Sequence, residues 1–127
     1  MKKKMRIVIA RLGMDAHWRG SIVVAHALRD AGMEVIYLGN QMPKSIVQTA
    51  IQESADIIGL SSLSGNHMTL APQVVEQLRE ADIEDIAVVL GGTVPPGDVE
   101  RLKQAGIKEV FGPGTPLKKI IDTLAEI

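Results

Sequence analysis

The stretch Met5-Arg6-Ile7-Val8-Ile9-Ala10-Arg11-Leu12-Gly13-Met14-Asp15-Ala16-His17-Trp18-Arg19-Gly20 decides how this chain is read. Its apolar run, Ile7-Val8-Ile9-Ala10, predicts a buried first strand over Met5–Ala10. A helix is expected to open at about Ser21. The loop between them places a carboxylate two positions before an imidazole. An acid so placed can hold one ring nitrogen of His17 and leave the other free to ligate a metal. Gly20 permits close backbone approach, or a turn into the helix. Alone, D-x-H-x-x-G is a weak pattern. Its weight depends on the other loops along the same edge of the sheet.

Working outward, four more β-rich runs follow: Glu34–Leu38, Ile57–Ser61, Ile86–Leu90 and Glu109–Phe111. Helical spacing fills the intervals between them. Leu70, Val74 and Leu78 fall at i, i+4, i+8, and Leu117, Ile120, Ile121 and Leu124 at i, i+3, i+4, i+7. Val47, Ala50 and Ile51 share a face of a helix that Pro43 can start. Ala31-Gly32 and Ala105-Gly106 are matched helix stops. The pattern is five βα units. Near-continuous apolar strands predict a parallel sheet covered on both faces. Right-handed crossovers then favour an α/β, doubly wound, five-stranded sheet in the order 2-1-3-4-5. No linker or repeat breaks the chain, so residues 1–127 are expected to form one domain.

Composition narrows the function. Lys and Arg number 14 and Asp and Glu 15, a net charge of −1, which gives no general case for nucleic acid or an anionic membrane. One Trp, one Tyr and one Phe cannot make a base-stacking platform. Lys2-Lys3-Lys4 is read as a solvated arm. No apolar stretch approaches the ~20 residues that span a bilayer, and no signal segment is evident at the start. The absence of cysteine removes disulfides, thiolate nucleophiles and Cys-based metal sites, and a cytoplasmic home is expected.

In such a sheet, ligands sit over the carboxyl ends of the strands, at the switch point between strands 1 and 3. The residues there are Asp15-Ala16-His17, Ser61-Ser62-Leu63-Ser64-Gly65, Gly91-Gly92-Thr93 and Phe111-Gly112-Pro113-Gly114-Thr115. Small and hydroxylated residues crowd this edge. They leave room for a large ligand and offer it donors. Such loops are commonly Gly- and Ser-rich, so the distinguishing feature is the histidine with its carboxylate beside them.

Taken together, these loops resemble the cobalamin-binding domain of the coenzyme B12-dependent mutases, in particular the acyl-CoA mutases and their separate small subunits. The likeness spans roughly residues 5 to 126. The family's D-x-H-x-x-G is Asp15, His17 and Gly20; its S-x-L is Ser61 and Leu63; its GG is Gly91 and Gly92. The resemblance implies a flavodoxin-like Rossmann variant and a residue-by-residue site. His17 would ligate the cobalt of cobalamin in place of the dimethylbenzimidazole base, and Asp15 would hold the other imidazole nitrogen. Gly20 would open the groove for the displaced tail. Ser61 would hydrogen-bond the buried base, and Leu63 would shape the lower face. Gly91 and Gly92 would let the backbone pass close to the tail, with Gly112, Gly114 and Thr115 lining the same region. The implied cofactor is adenosylcobalamin, which carries the radical isomerisation. The implied partner is a large mutase subunit whose TIM-type barrel binds the acyl-CoA, so a hetero-oligomer is expected, with no catalytic residue of its own in this chain.

Departures from the family's usual text are Arg11, Ala16 and Trp18. The usual residue at Arg11 is lysine. A permanently charged arginine paired with Asp15 would keep that carboxylate ionised and make His17 more electron-rich. Trp18 is read as a cover for the corrin edge, a partner contact or a shielded loop residue. His26 falls mid-helix and is assigned a packing or surface role; His67 opens the third helix and is assigned helix capping or loop packing, with contact to the cofactor or partner as the alternative. Histidines in separate elements, with no i, i+3 or i, i+4 pair, do not make a zinc site.

Other classes fit less well. A receiver-like phosphoacceptor needs an aspartate at the end of strand 3, where Ser61 stands. No phosphate loop or G-x-G-x-x-G fingerprint is present. The rival readings that keep the cofactor are a corrinoid carrier, a B12-responsive binding protein, or a glutamate-mutase-type small subunit.

Overall fold

The computed structural model describes residues 5–12, 19–62, 67–92, 94–112 and 115–127. Strands and helices alternate: β1 (Arg6–Leu12), α1 (Arg19–Asp30), β2 (Glu34–Gln41), α2 (Pro43–Gln52), β3 (Ile57–Ser62), α3 (His67–Glu80), β4 (Ala87–Gly92), α4 (Pro96–Gln104), β5 (Glu109–Phe111) and α5 (Leu117–Ala125). The five strands are parallel and ordered β2-β1-β3-β4-β5, as the sequence predicts.

Side chains on successive strand residues point to opposite faces, and the strands divide their apolar residues accordingly. Val8, Ala10, Ile58, Leu60, Val88 and Leu90 pack with residues of α2, α3 and α4. Ile7, Ile9, Ile57, Val89 and Phe111 pack with Ala25 and Leu28 of α1 and with Ile120 and Leu124 of α5. Two layers of helix therefore bury one sheet, which is why its central strands read as unbroken apolar runs.

The predicted helix stops have the same construction. The amide of Met33 donates to Leu28 O at 3.1 Å, and that of Ile107 to Leu102 O at 3.0 Å. The intervening Gly32 and Gly106 take φ of +97° and +110°. Met33 and Ile107 are both buried against the helix they close. This is the αL-capped ending with its hydrophobic contact. Pro43 opens α2 as expected.

Four strands run further than the apolar pattern indicates: β1 to Leu12, β2 to Gln41, β3 to Ser62 and β4 to Gly92. Backbone pairing in a parallel ladder does not require apolar side chains, so it continues past the apolar run. Gly91 and Gly92, expected after strand 4, are its last two residues. Helix α1 begins at Arg19, slightly before the expected Ser21.

At the opposite, amino edge, Arg6 ties the sheet together. Its Nε donates to Glu34 Oε2 at 2.7 Å, and its backbone amide donates to Asp56 Oδ2 at 2.9 Å. The bond to Glu34, with the nearby negative charge, raises the guanidinium above its ordinary pKa.

Candidate functional site at the carboxyl edge of the sheet

Strand register lines up two consecutive rows on the face covered by α1 and α5. The inner row is Ile9, Gly59, Val89 and Glu109; the outer row is Arg11, Ser61, Gly91 and Phe111. The apolar layer ends between them. Ile9 and Val89 are 5% and 4% exposed, whereas Ser61 and Gly91 are half-buried.

The glycines of these rows do different things. A β-carbon on Gly59 would stand 2.8 Å from Ile9 Cδ1, so the Ile9 side chain already fills that space. Among the described residues, a β-carbon on Gly91 would meet nothing nearer than Phe111 O, at 3.9 Å. The space in front of Gly91, beside the Ser61 hydroxyl, is therefore open. The outcome is a slot whose floor is Ile9 over Gly59, with Val89 beside them, and whose mouth is Ser61 and Gly91. A slot with no side chain on one wall and one placed hydroxyl on the next suits a flat, largely apolar group.

The other predicted residues fall around this slot to different degrees. Gly92 ends β4 as the register partner of Ser62. Gly20 is the second residue of α1. Gly112 is exposed, and among the described residues nothing lies within 4 Å of where its β-carbon would be. Thr115 folds back on it: Oγ1 donates to Gly112 O at 2.7 Å and the amide to the same oxygen at 3.3 Å. The Thr115 hydroxyl thus closes the turn into α5, which gives it a local structural role alongside the expected lining role. Asp15, His17, Leu63 and Gly114, with Trp18, lie outside the described residues.

The Arg11 guanidinium reaches toward β2, away from Ser61 on β3. Its Nη2 lies 3.7 Å from the β-carbon position of Gly39 on β2, which has φ +74°. The register of β1 and β2 shifts there by one residue, between Ile9 and Ala10. The expected run ended at Leu38, so Gly39 did not read as a glycine within a strand and the bulge gave no signal. The Gly59–Ile9 fit did have a signal, a glycine within an apolar strand, which marks close approach. His26 is exposed on α1 and takes no part. Among the described residues no group of three or more His, Cys, Asp or Glu could hold a metal ion, and no helix is long and apolar enough to cross a membrane.

Residues 5–121 match the family model described as the B12 binding domain. The chain is 42% identical over 124 residues to the 2-hydroxyisobutanoyl-CoA mutase small subunit of Aquincola tertiaricarbonis, which covers 97% of this chain and 91% of that protein. It is 40% identical to the pivalyl-CoA mutase small subunit of Xanthobacter autotrophicus, over 98% of this chain and 84% of that protein. It is also 38% identical to methylmalonyl-CoA mutase from Cereibacter sphaeroides, but spans only 18% of that longer protein. Among solved structures, a cobalamin-binding protein from Desulfitobacterium hafniense superposes with a TM-score of 0.83 at 23% identity, over 98% of this chain and 59% of that one. The signal receiver domain of a Mycobacterium tuberculosis response regulator follows at 0.77 and 17%, over 98% of this chain and 96% of that one. At those identities the likeness is one of fold.

Proposed function

From the premise that this chain belongs to the B12-binding domain family, we propose that it is the small subunit of an acyl-CoA mutase and binds adenosylcobalamin base-off, with His17 on cobalt. The observation that carries the reading is the open slot at Ser61 and Gly91. Its walls lack side chains where a flat base would lie, and a hydroxyl stands beside them. The names of the three sequence relatives above, each a CoA mutase or its small subunit, support the reaction class.

The residues divide the work. His17 would supply the lower cobalt ligand, and Asp15 would fix its ring orientation and basicity. Ser61 would hydrogen-bond the displaced base in the slot. Gly91, Gly92, Gly112 and Gly114 would admit the tail, with Gly20 opening the groove, Leu63 against the lower face and Thr115 holding its turn. When bound, the cofactor supplies homolytic cobalt–carbon chemistry that no side chain can provide. The chain's own task is to hold the corrin in place and keep its tail out of solvent.

We read residues 1–127 as one cobalamin-binding domain that works in the cytoplasm. Its partner is a separate large subunit with a TIM-type barrel, and the two form a hetero-oligomer. The substrate is a short branched acyl-CoA, chosen by that partner.

An absorption spectrum of the full chain with cobalamin tests the reading. A base-off, histidine-on spectrum is expected, lost in His17→Ala. Isomerase activity should arise only with the large subunit and adenosylcobalamin both present. A spectrum in which the dimethylbenzimidazole stays on cobalt, with the large subunit present, would sink the proposal.

A further inference from the structure

The slot has a floor, and the floor is one methyl group. On the α1/α5 face, the next residue inward from Ser61 is Gly59, and its missing side chain is replaced by Ile9 Cδ1. We infer that Ile9, seated over Gly59, is a specificity-determining residue that sets how deep the terminal base of the corrinoid tail can enter. The inference rests on the reading of the slot as the tail site.

Three observations carry it. First, Ile9 is almost wholly buried while its outward neighbours Ser61 and Gly91 are half-buried, so the boundary between core and slot passes through its side chain. Second, Ile9 is hemmed in from the inner side. The β-carbon position of Gly59 has Ile7 Cδ1 at 3.5 Å and Val8 O at 3.7 Å, and Ile7 is 0% exposed. The Gly59 position is thus closed on its inner side, and the Ile9 δ-methyl that covers it borders the row of Ser61 and Gly91 on its outer side. Third, Val89 closes the same row on the β4 side at 4% exposure, so a base cannot pass Ile9 laterally.

The consequence is a gauge that can be reset in either direction. Gly59→Ala puts a β-carbon 2.8 Å from the present δ-methyl, closer than two carbons can stand, and drives that methyl toward Ser61, making the slot shallower. Ile9→Val deletes the same δ-methyl and makes it deeper. The two together should nearly cancel, because the new β-carbon takes the volume of the lost methyl. A methyl-sized change in an apolar pocket discriminates ligands by roughly tenfold or more.

The test measures binding of three corrinoids to the full chain by absorbance. They are cobalamin, a cobamide whose benzimidazole lacks the two ring methyls, and cobinamide, which has no base. Gly59→Ala should weaken cobalamin by about tenfold. It should weaken the unmethylated analogue much less and leave cobinamide unchanged, and adding Ile9→Val should restore cobalamin. An equal loss for all three probes, no loss for any, or failure of the double variant to recover overturns the inference. Should Gly59→Ala not fold, Ile9→Val alone decides. It should gain affinity for a cobamide with a longer naphthimidazole base relative to cobalamin, and an unchanged ratio overturns the inference. If the unsubstituted chain binds cobinamide as tightly as cobalamin, the tail does not use the slot, and the reading of the site fails rather than the gauge.

Discussion

The Arg11 guanidinium lies against Gly39 of the neighbouring strand, with Nη2 3.7 Å from where a β-carbon of Gly39 would stand. That distance is ordinary van der Waals contact, so Gly39→Ala introduces no collision. Its cost is backbone strain, because Gly39 holds φ +74° at the bulge between β1 and β2. A non-glycine residue there costs about 1–2 kcal/mol. Urea denaturation of Gly39→Ala should show a loss of that size. A change within about 0.5 kcal/mol, the usual range for neutral surface substitutions, would mean that the bulge relaxes freely.

Ser61 and Gly91 are register partners at the mouth of the slot, and they should respond differently to substitution. Ser61→Ala removes one hydroxyl from a half-buried position and should leave the fold intact. A neutral hydrogen bond is worth about 1 kcal/mol, so cobalamin affinity should fall roughly fivefold to tenfold. Gly91→Val has room for its branched side chain among the described residues, where the nearest heavy atom to its β-carbon is 3.9 Å away. It should therefore fold with near-normal stability and still bind cobalamin more weakly than Ser61→Ala does. Equal affinity for the unsubstituted chain and Gly91→Val would show that the space is not used.

Much of this was legible in the sequence, for a physical reason. A doubly wound sheet makes each strand apolar on both sides, so five short runs and their crossovers determine the strand order once handedness is imposed. The helix stops were legible because Ala31-Gly32 and Ala105-Gly106 each need a left-handed residue followed by a buried one. Strand ends were less legible. Leu12, Gln41, Ser62 and Gly92 stay in the ladder although the apolar runs read from the sequence stop earlier, and only backbone pairing reports that. At the site, Ser61 and Gly91 were visible as small residues on one edge. That they share a register row was not visible, because register joins residues distant in sequence. The packing of Ile9 over Gly59 was hidden for the same reason.

Helix α5 shows how periodicity overstates burial. Leu117 shares the predicted face with Ile120, Ile121 and Leu124, yet it is 39% exposed while Ile120 and Leu124 are 8% and 2% exposed. Leu117 opens the helix, where the sheet no longer lies beneath it. Leu124→Ala should cost about 2–5 kcal/mol, in line with a buried large-to-small change. Leu117→Ala should cost well under half as much. Comparable losses from the two, measured by thermal or urea unfolding, would contradict this placement.

Arg6 offers a test far from the site. Its pair with Glu34 is partly exposed, at 36% and 43% for the two side chains, so salt should screen it. Arg6→Met should lower the urea midpoint, with a smaller difference at high salt. The pH dependence follows from the raised pKa of the guanidinium. A group whose folded-state pKa is raised contributes stability below its unfolded pKa and loses it as pH rises through the folded one. For arginine both lie in strongly alkaline solution. The difference between Arg6→Met and the unsubstituted chain should therefore stay flat from neutral to mildly alkaline pH. A marked fall across that range would mean that some other group carries it.

Trp18 gives an independent readout of the histidine loop. It is the chain's one tryptophan and follows His17 directly, so all tryptophan emission arises next to the proposed cobalt ligand. A corrin absorbs in the range where tryptophan emits, and a bound corrin should quench that emission by energy transfer. Titration with cobalamin should lower the fluorescence to a plateau, with a midpoint matching the histidine-on absorbance change. In Ser61→Ala the midpoint should move to higher cobalamin while the plateau stays the same, because only affinity has changed. In His17→Ala the midpoint should move further still, since both the cobalt bond and its orientation of the corrin are lost. Emission that follows only the optical absorbance of free cobalamin, with no saturation, would place the corrin away from this loop and remove His17 as its ligand.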